Sequence, residues 1–563
     1  MSTLQQAPAK YPDLMPLRNT HLKCPLTKLC RCWFNQTALL CSTRFIRSIR
    51  SIRSIITQPA VVNMSAHHFE TLATDHLFKA PLVQVLKIKA VISAMVCGLL
   101  LVSGCTGLPV TTVVATASPV AALVALYTVQ ADGQRAVLRA ITRQTTLPSS
   151  CPSVVWAGGP QQLMAVRALP ANVPARGQAP YDSKAALFDV LTCEATWPAG
   201  VNSAQVAGQT LAAPKADIQR IVVIADTGCR MNGSENAFQD CNDPVAWPFA
   251  QVAQSAALTK PDLVIHIGDM HYRESPCPPG NAGCAGSPWG YGFDAWQADF
   301  FAPAKPLLAA APWVFVRGNH EICARAGQGW FRFADTLAWQ AERSCNDPAN
   351  DNDADFSNPY AVNITADTQF IVFDSAKASG KPYSEKDAAF VKYKANLQLS
   401  DALSALKPHN FFMSHHPLLA VASGKKAQDP LPGGTVGLQS VFKTNHPLRL
   451  FAPQIDVAMH GHIHVFEALA FKSAHPTSLV LGNSGSANDG NLPTRLPAGF
   501  EAYPGAVVED YVATTAYGFA TLDRQTGEPG QWLMTAFNVQ GTPLFKCAIT
   551  GSKSKCTKAG VAP

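Results

Sequence analysis

The body of this 563-residue chain lacks a basic surplus. The net charge is +7, but residues 1–104 hold 12 Lys and Arg against 3 Asp and Glu, which leaves 33 basic and 35 acidic residues for 105–563. The charge that a nucleic-acid surface needs is therefore confined to the front of the chain, and no nucleic-acid partner is expected. No C-x-x-C pair occurs beyond Cys105, which removes the usual spacing of a structural zinc site. The apolar run 90–102 has 13 residues, short of the ~20 that a helix needs to span a membrane comfortably.

The length allows two to four domains, and the apolar content is ample for a large core. Residues 1–86 read poorly as part of one. Residues 44–56, RFIRSIRSIRSII, repeat a basic–apolar triplet, and Cys24, Cys30, Cys32 and Cys41 lie in a stretch with no steady period. This leader is read as sequence upstream of the true start, with Met64 an alternative start. The rival reading is a metal-binding or membrane-surface segment. Residues 87–105 carry the parts of an export signal: Lys87-Ile88-Lys89, the apolar run, then Ser103-Gly104-Cys105. Val102-Ser103-Gly104-Cys105 is similar to a bacterial lipobox, which places a lipid-anchored mature N-terminus at Cys105 and the protein outside the cytoplasm, periplasmic or otherwise. A plain cleaved signal and an uncleaved anchor are the alternatives.

Export suits the other cysteines. Ten follow Cys105, an even set that reads as disulfides in an oxidising compartment. Their grouping favours pairing with near neighbours: Cys151 with Cys193, Cys229 with Cys241, Cys277 with Cys284, Cys323 with Cys345 and Cys547 with Cys556.

Residues 106–217 divide into a Thr-, Val- and Ala-rich tether and short β-type runs at 137–142, 163–168 and 186–191, broken by Pro and Gly. They predict a small β-sandwich-like domain without recognisable chemistry. From 218 to 545 apolar strand candidates recur at 220–225, 262–267, 312–316, 369–373, 410–414, 455–459 and 478–482, with helices expected over 244–258 and 384–406 and closing strands over 517–522 and 531–538. This is the pattern of a layered α/β domain. Residues 546–563 read as a polar C-terminal tail.

Five of the strand ends carry metal-ligand residue types. They are Asp226; Asp269 with Tyr272; Gly318-Asn319-His320-Glu321; His415-His416-Pro417; and Gly461-His462-Ile463-His464. Open α/β sheets place their chemistry at the C-terminal ends of strands. Asp269 has two oxygens and can bridge two metal ions. A single histidine after a strand is ordinarily structural; five such ends in one order are not explained by packing.

These motifs resemble the calcineurin-like metallophosphoesterases over residues 218–540, and within them the purple acid phosphatases. Most of that superfamily begins with Asp-x-His, whereas the third position here is Gly228. The purple acid phosphatase pattern Gly-Asp-x-x-Tyr supplies the missing ligand as Tyr272. The resemblance implies a four-layer sandwich of two mixed β-sheets flanked by helices, with a dinuclear metal site. Metal one would take Asp226, Asp269, Tyr272 and His464, and its hard oxygen donors suit Fe(III). Metal two would take Asp269, Asn319, His415 and His462 and suits a divalent Fe, Zn or Mn ion. The implied reaction is cleavage of small phosphomonoesters by a metal-bound hydroxide, with His320 as general acid. A phosphodiesterase acting on nucleotides or lipid headgroups, and a non-catalytic surface binding protein, are the competing functions. Glu321 either orients His320 or is a surface partner. His271 and Arg273 either contact substrate phosphate or are loop residues. His416 is read as a supporting histidine beside the ligand His415, and Asn483 and Ser484 as turn residues.

Overall fold

The computed structural model describes residues 122–143, 150–176, 184–423, 429–490, 492–525 and 529–560. The stretches read as leader and export signal, Cys105 and most of the expected tether lie outside these residues.

Two mixed sheets face each other. The larger has eleven strands. At its centre Arg220–Ile224, Leu263–Ile267 and Trp313–Val316 run parallel, and Gly518–Arg524 joins antiparallel to the first of them. The second has seven strands, with Thr368–Val372, His409–Met413, Ile455–His460 and Thr477–Leu481 parallel in its middle. The runs are apolar throughout because both faces of each central strand are covered. Alternation sorts the side chains. Ile221, Val223, Ile265 and Val316 meet Phe370, Phe411, Met413 and Val457 between the sheets. Val222, Ile224 and Val264 turn outward onto the helix Phe249–Leu258 and the aromatic cluster of Trp296, Phe300 and Phe301. On the far side Ile371, Phe373 and Phe412 pack against Phe390, Tyr393 and Leu397 of the helix Ala388–Ser404. The order helix, sheet, sheet, helix gives the expected four layers.

The expected helix over 244–258 begins only at Phe249, after Pro248. In a helix begun at Pro244, residue 248 would have to donate to the carbonyl of residue 244; proline has no N–H to give and its ring crowds that carbonyl, so the regular ladder starts beyond it. The helix expected over 384–406 runs over Ala388–Ser404. Its first residues form a turn instead, in which Ser384 N–H donates to the Asp387 carboxylate.

Two boundaries fall elsewhere than expected. The strand Leu123–Gln130 pairs in parallel with Trp313–Val316, and Ala136–Arg143, Val190–Thr196 and Ala165–Ala168 follow it outward. The described residues of this segment are β-rich, as expected, and their strands supply one end of the large sheet. A four-stranded sheet containing Ser153–Trp156 and Ser203–Val206 covers that end, closing a small core of Leu138, Trp156, Leu191 and Val206. At the opposite end, the described residues 546–560 are not a tail. Pro543–Thr550 and Lys553–Lys558 are the last two strands of the same sheet, and Cys547 and Ile549 point into the inter-sheet core.

The N-terminal strands also reach toward the strand-end loops. Buried Arg139 donates to the Phe333 carbonyl at 2.6 Å, and Arg167 to the carbonyls of Phe331 and Arg332 at 2.7 and 3.0 Å. These are the C-terminal carbonyls of the helix Gly327–Phe333, which helical bonding leaves unpaired. Two guanidinium groups thus cap the helix that follows the Asn319–His320 loop. All five neighbour disulfides are formed: Cys151–Cys193, Cys229–Cys241, Cys277–Cys284, Cys323–Cys345 and Cys547–Cys556. Among the described residues no helix is long and apolar enough to cross a membrane.

Candidate metal centre

The C-terminal ends of strands from both sheets converge on one cluster. Tyr272 Oη lies 3.0 Å from Asp226 Oδ1, 2.9 Å from Asp269 Oδ2 and 2.7 Å from His464 Nε2. Beside this group, His415 Nε2 lies 3.0 Å from Asp269 Oδ2 and 3.1 Å from Asn319 Oδ1, and His462 Nδ1 lies 3.1 Å from the same amide oxygen. The seven residues assigned as ligands from the strand ends therefore come together as two adjoining sets. Asp269 joins them through one oxygen rather than two. Its Oδ2 faces both sets, while Oδ1 accepts the His320 N–H at 2.8 Å.

The backbone is bent hard to achieve this. Asp226, Asp269 and His462 have positive φ of 54°, 57° and 71°, a conformation costly for non-glycine residues and concentrated at functional sites. Close approach accounts for the glycines between them. A Cβ on Gly318 would sit 2.1 Å from Asp269 Oδ1. A Cβ on Gly228 would sit 2.7 Å from the Tyr272 nitrogen. Position 228 thus has no room for the histidine found there in most of the superfamily. The glycine and the tyrosine are a matched pair.

The supporting contacts are as specific. His415 Nδ1 bonds the Ile267 carbonyl at 2.8 Å, and His464 Nδ1 the Ala487 carbonyl at 2.7 Å, so each ring turns Nε2 toward the cluster. Asp489 accepts the His464 N–H at 2.9 Å, and Asp226 Oδ2 accepts that of His462 at 2.9 Å. His416 packs beside His462, its ring centroid 4.1 Å away, and receives its support from Ser375. Ser484 Oγ accepts the Ala225 N–H, and Asn483 binds the Ala516 carbonyl; both brace the strand ends from behind.

Electrostatics show what the cluster wants. Burial, then Asp269 and Asp226, push the Tyr272 hydroxyl well above its usual range. Burial disfavours charge on His415, but Asp269 and Asp226 outweigh it and raise His415 to about 9. His464 is likewise raised to about 9, burial being outweighed by Asp226 and Asp489. Burial and the neighbouring His415 hold His462 down to about 3. The buried carboxylates thus draw positive charge to themselves, supplied by protons on His415 and His464 in the absence of any other cation, and metal ions at the same atoms would supply it instead. Asp269, His415 and His462 also have ligand atoms close enough together to hold one ion. The residues fit metal ions.

Two readings are corrected. Glu321 does not reach His320 and is not at the surface. Fully buried, it accepts four backbone N–H groups: Asp269 at 2.9 Å, Gly318 at 3.0 Å, Met270 at 2.8 Å and His271 at 3.2 Å. It ties two ligand loops together. Arg273 and His271 do not face a substrate. Arg273 is buried against Asp299, Nε to Oδ1 at 2.7 Å, with its guanidinium over Trp247. His271 is buried among Tyr291 and Trp296.

The groups around His320 were missed at the level of sequence. Its Nδ1 lies 3.3 Å from Glu274 Oε1, and its ring lies against that of Tyr272, tilted by 38° with centroids 3.8 Å apart. Arg325 binds Glu274, Nη2 to Oε2 at 2.6 Å, and approaches the imidazole. Glu274 stands two residues beyond Tyr272, the one signal that could have marked it. Asp299 accepts the N–H groups of Tyr272 and Arg273 at 2.7 and 2.9 Å, and nothing in its sequence surroundings announces this.

Carboxylate, phenol and imidazole groups gathered at the C-terminal edges of two facing sheets define a metal-dependent hydrolase centre. Residues 219–466, somewhat under half of the chain, match the family model described as calcineurin-like phosphoesterase. The family implies a dinuclear metal site and phosphoesterase chemistry. No curated protein sequence matches the chain. Among solved structures it is similar to the purple acid phosphatase PPD1 from yellow lupin (Lupinus luteus) seeds, with 15% identity, TM-score 0.44, and 78% of this chain and 74% of that one covered. It is also similar to PhoD, with 12% identity, TM-score 0.45, and 78% and 92% covered. GAP50, the anchor in the inner membrane complex of Plasmodium, shows 10% identity, TM-score 0.33, and 60% and 89% covered.

Proposed function

We propose that the protein is an exported phosphomonoesterase of the purple acid phosphatase type. The observation that carries this reading is the pairing of Tyr272 with Gly228. The phenol stands within 3.0 Å of two carboxylates, and the glycine beside it has no space for the alternative histidine ligand. Asp226, Asp269, Tyr272 and His464 would hold Fe(III), since a phenol ionises in a buried site only beside a strong Lewis acid. Asp269, Asn319, His415 and His462 would hold a divalent Fe, Zn or Mn ion. Bound together, two such ions lower the pKa of a water and neutralise phosphoryl oxygens.

The chain's own residues position and protonate. Glu274 accepts from His320 Nδ1, which leaves Nε2 to deliver a proton to the leaving oxygen. Glu321 keeps the Asp269 and Asn319 loops in register so that the ligand sets stay at fixed separation. The five disulfides fit an oxidising compartment, and a lipid at Cys105 would hold the enzyme at the membrane surface.

Purified protein should hydrolyse p-nitrophenyl phosphate and show a visible phenolate-to-iron absorption band. Tyr272→Phe should abolish the band while part of the metal remains. Wild-type protein that is colourless and active with two zinc or two manganese ions would remove the iron assignment. Absence of phosphatase activity in metal-replete protein would remove the function. Cys105→Ala should release the protein from membranes, and unchanged membrane association would remove the lipid anchor.

A further inference from the structure

We infer that Arg325 is a specificity residue of this site, a fixed guanidinium that receives the additional unsubstituted oxygen of a phosphomonoester and so sets monoesters above diesters. The inference rests on the phosphoesterase reading above and names the substrate class within it.

Arg325 Nη2 is 2.7 Å from His320 Nδ1 and 3.0 Å from Nε2. A nitrogen that close to both ring nitrogens lies over the face of the imidazole, not in its plane. His320 is therefore flanked by the Tyr272 ring and by the Arg325 guanidinium. Glu274, itself buried, takes Nε and Nη2 of Arg325 side by side, the fork geometry that fixes the guanidinium plane. Among the described residues the third nitrogen, Nη1, has a single long contact, 3.4 Å to the Asn319 carbonyl. Arg325 keeps 22% of its side chain exposed, whereas Glu274 keeps 4%. The carboxylate thus anchors one edge of a partly exposed guanidinium, which lies against His320 and beside the Asn319 carbonyl.

That placement has a chemical consequence. A phosphomonoester carries a phosphoryl group with a charge near −2 at neutral pH, and all of its non-leaving oxygens can accept hydrogen bonds. A diester carries one negative charge, and one of those oxygens bears a carbon substituent. A donor held rigidly by Glu274 gains a charge-assisted bond from the monoester. The diester offers it a weaker acceptor and leaves the guanidinium partly unsatisfied, a penalty of the kind that generates strong discrimination. Lysine does not reproduce this, because it lacks the planar fork that Glu274 holds.

The test compares wild type, Arg325→Ala and Arg325→Lys on p-nitrophenyl phosphate and bis(p-nitrophenyl) phosphate, which share a leaving group, with metal content measured for each. Arg325→Ala should lower kcat/KM for the monoester by ~10–100-fold, the range of a lost hydrogen bond between charged groups, and for the diester by less than about 3-fold. Arg325→Lys should fall between. Binding of inorganic phosphate, followed by calorimetry, should weaken in parallel with the monoester loss and gives a readout independent of turnover. Equal losses on both esters, or phosphate affinity unchanged in Arg325→Ala with metals retained, would overturn the assignment. If wild type hydrolyses neither ester, the phosphoesterase reading fails, and the calorimetric comparison alone decides whether Arg325 binds phosphate.

Discussion

Replacing Glu321 by Gln keeps its size and removes half of its acceptors. The carboxylate takes two N–H groups on each oxygen: Asp269 and Gly318 on Oε2, Met270 and His271 on Oε1. A glutamine has one carbonyl oxygen, and its NH₂ would face two donors whichever way it turns. Two buried N–H groups then lose their partner, at a cost of ~1–3 kcal/mol each. The loops 268–271 and 318–321 should open more easily by about 2–6 kcal/mol, which corresponds to amide exchange at least ~30-fold faster in those segments. Hydrogen exchange followed by mass spectrometry on metal-free protein reads this directly. Peptides from the helix Ala388–Ser404, which Glu321 does not touch, serve as the internal control. Metal affinity should drop with it, since Asp269 and Asn319 sit on the loosened loops. Exchange within about 3-fold of wild type across 268–271 and 318–321, with both metals retained, would show that the four bonds do not set the geometry of the site.

Three further outcomes are expected. Gly318→Ala places a Cβ 2.1 Å from Asp269 Oδ1 and should lose metal while the rest of the fold stays intact by circular dichroism; full metal occupancy in this variant would contradict the close approach. Glu467 is buried and raised to about 8 by burial, with only the Val421 N–H against that trend; its folded pKa lies above the unfolded value, so its contribution is complete below ~4.3 and is lost as pH rises through about 8. Glu467→Gln should therefore be more stable than wild type at pH 8.5 and similar to it at pH 4.5 in urea unfolding, and an identical pH dependence of the two proteins would refute the assignment. His320→Ala should retain metal and lose turnover by ~10²–10⁴-fold on alkyl phosphates but much less on aryl phosphates, whose leaving groups need little protonation; equal losses on both would deny it the proton.

Strand ends were legible because buried parallel strands are short, apolar on both faces and bounded by polar residues. Leu263–Ile267 ending in Gly268-Asp269 is such a case. The local disulfides were legible for a similar reason, since each pair closes a loop within one stretch of chain. The ends of the large sheet were not. Leu123–Gln130 alternates and is buried like any strand, but its partner is an edge left open by Trp313–Val316, nearly two hundred residues later, and no feature of either run names the other. Residues 546–550 read as the start of a tail because every second one, Lys546, Ala548 and Thr550, is exposed; Cys547 and Ile549, two apart, are the inward half of that alternation. The same limit explains the site. Ligands could be found because metals demand particular atoms at strand ends. The groups that hold them act on backbone or on distant partners: Glu321 on four N–H groups, Arg273 on Asp299, Arg325 on Glu274. Backbone donors have no letter in a sequence, and pairs 26 and 51 residues apart have no spacing to recognise. A charged residue beside a catalytic motif is therefore ambiguous until the fold supplies its partner. Arg273 stands next to the tyrosine and is spent on a buried carboxylate, whereas Arg325, outside every motif, lies against His320 and keeps 22% of its side chain exposed.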